Sequence, residues 1–424
     1  MLTDRHPPLA PKASAPERVS PTFHDWNPRE AVGRCRPQIV DETLRDGVQS
    51  PSACDPRLGE KLELLHCMAR LGIDCAALGY PAARRRQYED AQRLARELAT
   101  LRLAGCCAAR ALIHDVRPIV EIAQASGIQL QVGMFVGSSP LRQRAEGWNV
   151  EQLLRLSDEA IAFAVREGLD VLYVTEDSTR SSPETLSRLY TAAVRAGASQ
   201  VCIADTVGHA TPAGASAIVR FTRTVLDACD ARVGIDWHGH RDRGLDVANC
   251  LAAWNAGAER CHGTALGIGE RCGNTPVELL LANRALLGFG HETLVHLAGY
   301  VELASRALGI DVAPHQPVVG RDAFRTATGT HASALLKARN VPGQSAAEEG
   351  LYSSIPASWL GQKHTIEVGP LSGEANVQAW LLEHEVPADA SLVSAILNHA
   401  KSADRLLTAR ELEALVRAAG GARP

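Results

Sequence analysis

The chain lacks a charge excess of either sign. Its 424 residues carry 44 lysines and arginines against 48 aspartates and glutamates, a formal net charge of −4. That balance leaves no electrostatic footprint for nucleic acid or for an anionic membrane surface. The one basic cluster, Arg84-Arg85-Arg86, is too short to change this and reads as a solvated helix face. Paired cysteines are missing too. Eleven cysteines are scattered without a CxxC pair, and the count is odd. That is not the pattern of a disulfide framework or a zinc finger, and a reducing cytoplasm is the expected compartment. Cys75 and Cys202 stand in apolar, strand-like runs and are expected to be small core residues. No apolar run approaches the ~20 residues a membrane helix needs. The opening stretch, MLTDRHPPLAPKASAPERVSP, is rich in proline and has no hydrophobic signal core, so residues 1–35 are expected to form a flexible tail.

What is present is ordinary globular composition, 46% hydrophobic and 22% charged, enough for one large core and an appended domain. From about residue 37 short apolar runs alternate with amphipathic stretches. The runs are PQIVDETL, GIDCAALG, LRLAGCCA, IQLQVGMFV, LDVLYVTED, SQVCIADT, ARVGIDWHGH and AERCHGTA. Between them, Glu60 to Arg70, Glu151 to Arg166, Pro212 to Cys229 and Leu245 to Gly257 place apolar residues at helical spacing. Eight strand–helix units in about 250 residues match a closed (β/α)8 TIM barrel. A doubly wound open sheet usually has fewer strands and a phosphate loop after the first, and that loop is absent. The expected division is a barrel over 36–292 followed by a smaller, mostly helical C-terminal extension over 293–424.

A barrel of this kind carries its chemistry on the loops after its strands. DETLRDGVQ follows strand one, TED (175–177) closes strand five, ADT (204–206) closes strand six, HGH (238–240) ends strand seven and GIGERCGN (267–274) follows strand eight. His238 and His240 are two apart, so on a strand they share a side. An oxygen ligand from Asp46 and an amide oxygen from Asn274 would complete a mixed set suited to Zn2+, Mn2+ or Mg2+. Arg45 reads either as a structural ion pair or as a guanidinium that meets developing negative charge. Thr206 offers a hydroxyl to a substrate carboxylate or caps a turn. Glu176 is a supporting partner or a substrate-facing carboxylate.

DETLRDGVQ, HGHRDRGLDVAN, GIGERCGN and VGRDAFRTATGTHASALLK together resemble the isopropylmalate synthase and homocitrate synthase group of metal-dependent TIM-barrel enzymes, over roughly residues 37 to 375. The resemblance implies a divalent ion on Asp46, His238, His240 and Asn274, and condensation of an acyl-CoA, usually acetyl-CoA, with a 2-oxo acid, followed by thioester hydrolysis. It implies roles in proton removal for Glu176, His331 and Tyr352. It also implies a homodimer in which the extension covers the neighbouring barrel, so that His331 and Tyr352 act in trans. Gln49, Met134, Val174 and Thr206 are expected to line the substrate pocket with Arg45.

Against the group's usual pattern, Val48 and Ala77 stand where glutamates are common. Gly133 takes the place of a frequent histidine, Val174 that of a serine or threonine, and Tyr352 is followed by Ser353. These positions are expected around the acceptor pocket, giving an acceptor that is bulkier, more apolar or more anionic than the common ones. GYPAA favours the isopropylmalate-type product, with homocitrate or citramalate formation as alternatives. The sequence stops about where the extension should, so no leucine-sensing domain is expected. A lyase of the hydroxymethylglutaryl-CoA type would share the ligands but use a cysteine in a glycine-rich lid. Cys272 lies in the metal loop and reads as a packing residue. A non-catalytic scaffold is the remaining alternative.

Overall fold

The computed structural model describes residues 36–229, 231–339 and 349–419, so the expected tail over 1–35 lies outside the described residues. Eight strands close into a parallel barrel in chain order: β1 (Gln38–Asp41), β2 (Cys75–Ala77), β3 (Ala104–Arg110), β4 (Leu130–Gly137), β5 (Asp170–Glu176), β6 (Gln200–Asp205), β7 (Gly234–Gly239) and β8 (Arg260–Gly263). The seam pairs β8 with β1, Arg260 opposite Gln38 and Gly263 opposite Asp41. Strands buried on both faces read as near-continuous apolar runs, which is why each was visible in the sequence.

The surrounding helices are α1 (Leu58–Arg70), α2 (Arg85–Leu98), α3 (Ile113–Ser126), α4 (Pro140–Glu146), α5 (Val150–Arg166), α6 (Pro183–Ala196), α7 (Pro212–Asp227), α8 (Asp246–Ala256), α9 (Val277–Leu286) and α10 (Leu297–Leu308). Local chemistry sets their ends. Asn149 and Gln152 form a reciprocal capping box at the start of α5, both bonds 2.9 Å. Ser182 and Thr211 cap α6 and α7, each followed by a proline in the first turn. Removing one such cap costs about 1 kcal/mol. Arg84, Arg85 and Arg86 are all exposed, as expected, and Arg84 and Arg86 also pair with Asp55.

One hydrophobic core joins the strands to these helices and includes α10. Tyr300 of α10 is fully buried and donates its hydroxyl to Asp41 Oδ2 at 2.5 Å, tying this helix to the end of β1. Beyond it come α11 (Gly329–Arg339) and a two-stranded pairing of Arg325–Thr326 with Thr365–Ile366. Helices Glu374–Glu383, Ala390–Ser402 and Ala409–Ala418 then build a second core around Val377, Leu381, Ile396 and Val416. The C-terminal part is thus smaller and mostly helical. Cys75 and Cys202 are buried, as expected. Among the described residues no helix is long and apolar enough to cross a membrane.

The lower interior of the barrel is closed by polar side chains. Arg260 holds Asp236 at 2.7 Å and Gln131 at 2.8 Å, and Gln131 in turn reaches Gln200 at 2.8 Å. Each buried polar group there has a partner, the condition under which such a plug is tolerated.

Candidate active site

The turn after β1 aims the first pair of side chains. The Glu42 carbonyl accepts from the backbone amides of Arg45, Asp46 and Gly47 at 3.0, 2.8 and 3.1 Å, which lifts Arg45 and Asp46 over the barrel mouth. Across it, β7 delivers His238, and an isolated bridge pairs His240 with Asn274. Asp46 Oδ2 lies 3.5 Å from His238 Nε2 and 3.7 Å from His240 Nε2, which are 3.3 Å apart. Asn274 Nδ2 is 3.2 Å from the same carboxylate oxygen. Atoms bound at 2.0–2.2 Å to one divalent ion stand about 3–3.6 Å from each other, so this set has the spacing of a ligand sphere. Asn274 Oδ1 is buried without a hydrogen bond, and exchanging the two ends of the amide brings an oxygen into the cluster. A side chain at Gly269 would fall on that amide oxygen and come within 3.1 Å of Asp46 Oδ1, so the loop over the cluster needs a glycine there. The donor set of one carboxylate, two imidazoles and one amide therefore fits a divalent cation. Burial, then repulsion from His238, pushes the His240 pKa down to about 4, which keeps this imidazole neutral and able to bind metal at neutral pH.

A second carboxylate organises the cluster from below. Glu42 Oε2 is 2.6 Å from Arg45 Nη2 and 2.7 Å from His238 Nδ1, and its Oε1 is 3.4 Å from His262 Nδ1. Burial alone would raise its pKa, but Arg45, His238 and His262 outweigh burial and hold it well below the carboxylate range. His262 continues downward to Asp236 at 2.9 Å. Burial opposes its charge, yet Glu42 and Asp236 push its pKa up to about 9. Arg45 also meets Asp46 at 3.0 Å, so its two carboxylate partners hold the guanidinium beside the cluster of Asp46, His238 and His240.

The cluster forms part of the wall of a cavity of about 500 Å³. Arg45, Gln49, Val174, Glu176 and Thr206 all line it. Thr206 accepts the Asp177 amide at 2.8 Å, so it caps that turn and still has a hydroxyl proton to donate. Glu176, at the end of β5, pairs with Arg142 Nε at 3.1 Å; burial raises its pKa against the pull of that arginine.

Three expectations need correction. Met134 does not line the pocket: residues alternate along β4, so Gly133 and Phe135 face the cavity while Met134 is fully buried in the core. Val48 packs against that same core and is not part of the cavity wall, unlike Ala77, Gly133 and Val174. Cys272 is exposed and is not a packing residue. His331, on α11, and Tyr352 are exposed and lie outside the cavity lining of this chain. They stack on each other with ring centroids 4.0 Å apart.

Sequence reasoning missed Glu42, His262 and Arg142 as parts of the site. Glu42 was visible only as one of several carboxylates in DETLRD. Its importance comes from register: Asp41 pairs with Ala76, so the next residues, Glu42 and Ala77, follow side by side.

Residues 36–304 match the HMGL-like family. A 2-isopropylmalate synthase of Methylacidiphilum infernorum is 33% identical over 308 residues, which are 71% of this chain and 60% of that protein. The chain therefore spans less than two thirds of that relative. Homocitrate synthase AksA of Methanopyrus kandleri is 33% identical over 389 residues, covering 89% of this chain and 91% of its own. Among solved structures, a Bacillus subtilis HMG-CoA lyase superposes with a TM-score of 0.53 at 19% identity, over 66% of this chain and 96% of that one, a likeness of fold alone.

Proposed function

The chain belongs to the HMGL-like family, in its 2-isopropylmalate synthase-like group of TIM-barrel metal enzymes, and on that footing we propose that it condenses an acyl-CoA with a 2-oxo acid. The supporting observation is the convergence of Asp46, His238, His240 and Asn274 beside Arg45, at a cavity that Glu176 also lines. Acetyl-CoA is the proposed donor and a 2-alkylmalate-type acid, of the isopropylmalate kind, the proposed product.

A divalent cation (Mg2+, Mn2+ or Zn2+) on those four residues would supply Lewis acidity to the acceptor's keto group. Arg45 donates hydrogen bonds to the oxygen that gains negative charge as the carbonyl is attacked. Gln49 and Thr206 orient the acceptor's carboxylate, Thr206 with the hydroxyl proton left free by its bond to Asp177. Glu176 takes part in removing the methyl proton of the acetyl thioester, its basicity raised by burial. The resulting carbon nucleophile forms a bond to the keto carbon, and the former keto oxygen takes up a proton. Water then cleaves the thioester, releasing the CoA thiol and a second carboxylate. His331 and Tyr352 serve the proton transfers from the partner subunit of a homodimer, which accounts for their distance from the cavity of their own chain.

The test is release of free thiol from acetyl-CoA with a panel of 2-oxo acids, with and without chelator. Acceptor-dependent release that is abolished by chelator and restored by Mn2+ is expected. No release with any acid, or release indifferent to chelator, overturns the reading. One observation favours a second reading, a lyase acting on a hydroxymethylglutaryl-CoA-type thioester: Cys272 is exposed next to Arg271, which lines the cavity.

A further inference from the structure

We propose that the acceptor is a 2-oxo acid with an uncharged side chain the size of a ring, an aryl group above all. This deepens, and rests on, the reading of the site as a condensing one.

The cavity has two unlike halves. Most of its charged groups cluster near the ends of β1, β7 and β8, around the four ligand residues; the other two, Glu176 at the end of β5 and Arg142 on α4, pair with each other at 3.1 Å. Below that pair, the wall from β2 to β6 presents Ala77, Ala108, Gly133, Leu172, Val174 and Cys202, none of them charged. A distal carboxylate on the acceptor would find no free partner among the described lining residues. Arg45 is matched by Glu42 and Asp46, Arg142 by Glu146 and Glu176, Arg271 by Asp242, and His262 by Glu42 and Asp236. An unpaired carboxylate buried there would be strongly disfavoured. The match of charges disfavours a dicarboxylic acceptor, and it narrows the three options left open by the sequence.

Size follows from the middle of the wall. Ala108 and Leu172 flank Gly133 in register. A methyl group at Gly133 would meet nothing nearer than the Cys107 carbonyl at 3.8 Å, so the space in front of this residue is open. Above it, Tyr80 and Phe135 both line the cavity, edge to face, with ring centroids 6.1 Å apart at 81°. The Tyr80 hydroxyl is tied to Asp115, which holds the pair in place. A third ring can join such a pair in the same offset or edge-on geometry, and an aliphatic side chain gains only contact area.

The experiment compares phenylpyruvate, 3-methyl-2-oxobutanoate and 2-oxoglutarate as acceptors for the Mn2+-loaded protein. Phenylpyruvate is expected to have the highest kcat/KM, by about 10-fold or more, the range over which pockets sort side chains by size. The Gly133→Leu and Gly133→Val variants are expected to lower the ratio of phenylpyruvate to 3-methyl-2-oxobutanoate by about 30-fold or more. Preference for 2-oxoglutarate, or a ratio that neither substitution changes, overturns the proposal. If no acid is turned over, the condensing reading fails, and calorimetry on the wild-type protein still decides the pocket. Tighter binding of phenylpyruvate than of 2-oxoglutarate supports it, and equal or weaker binding overturns it.

Discussion

Replacing Glu42 with glutamine changes one atom in a buried carboxylate that faces Arg45 at 2.6 Å, His238 at 2.7 Å and His262 at 3.4 Å. Breaking a buried ion pair by removing one partner typically costs 3–5 kcal/mol. Because Arg45 keeps Asp46 at 3.0 Å, the expected loss for Glu42→Gln at pH 6.5 is about 3 kcal/mol. The pH dependence carries a sharper signature. The His262 pKa rises from an ordinary 6.5 to about 9 in the folded protein. Its contribution to stability is therefore complete below pH 6.5 and is lost as pH rises through about 9. That interval corresponds to about 3 kcal/mol at 1.4 kcal/mol per decade. Glu42 is the larger of the two carboxylate influences on His262, and Asp236 remains in the variant. The Glu42→Gln protein should lose only about half as much stability over the window, roughly 1–2 kcal/mol. Urea unfolding of both proteins at pH 6.5 and pH 9, in chelator, measures this. Equal losses in the two proteins would refute the assignment of His262 as a charged partner of Glu42.

Three further outcomes follow from the site. Gly269→Ala places a methyl group on the Asn274 amide and should weaken Mn2+ binding by about 10–100-fold, read by calorimetry, with little change in the far-ultraviolet spectrum. Cys272→Ser, at an exposed position, should keep acceptor-dependent thiol release within about 2-fold. Loss of activity would favour the lyase reading, in which a cysteine is essential. Mixing His331→Ala with Asp46→Asn chains, each inactive alone, should restore about a quarter of wild-type activity if subunits exchange at random and His331 works in trans. Mixtures as inactive as their parents would place His331 outside the site.

The barrel and the cluster of Asp46, His238, His240 and Asn274 were legible because both obey short-range rules. Each strand is a bounded apolar run, and the four helical segments read from spacing begin and end within two residues of the observed helices. His238 and His240 announce themselves by a spacing of two at the end of one strand. Glu42 meets His262 only through the closure of the barrel, which sets β8 beside β1 across more than 200 residues of sequence, while Asp236 joins them from the preceding strand, β7. A lone aspartate in VGIDWHGH or a histidine in RCHGTA carries no local sign of its partner. Met134 failed for a related reason. Gly133, Met134 and Phe135 are all compatible with either face of β4, and the alternation of a strand has no absolute phase until its neighbours are known.

From the floor of the barrel to its mouth, Arg260, Asp236, His262, Glu42 and Arg45 alternate in sign along one continuous file. The residues that seal the base and those that face the substrate therefore share a single electrostatic account. A substitution chosen only to harden the base, such as an apolar replacement of Arg260, would leave Asp236 to draw on His262, loosen its hold on Glu42 and so retune Arg45, four neighbours away. In this barrel thermal robustness and reactivity cannot be engineered as separate traits.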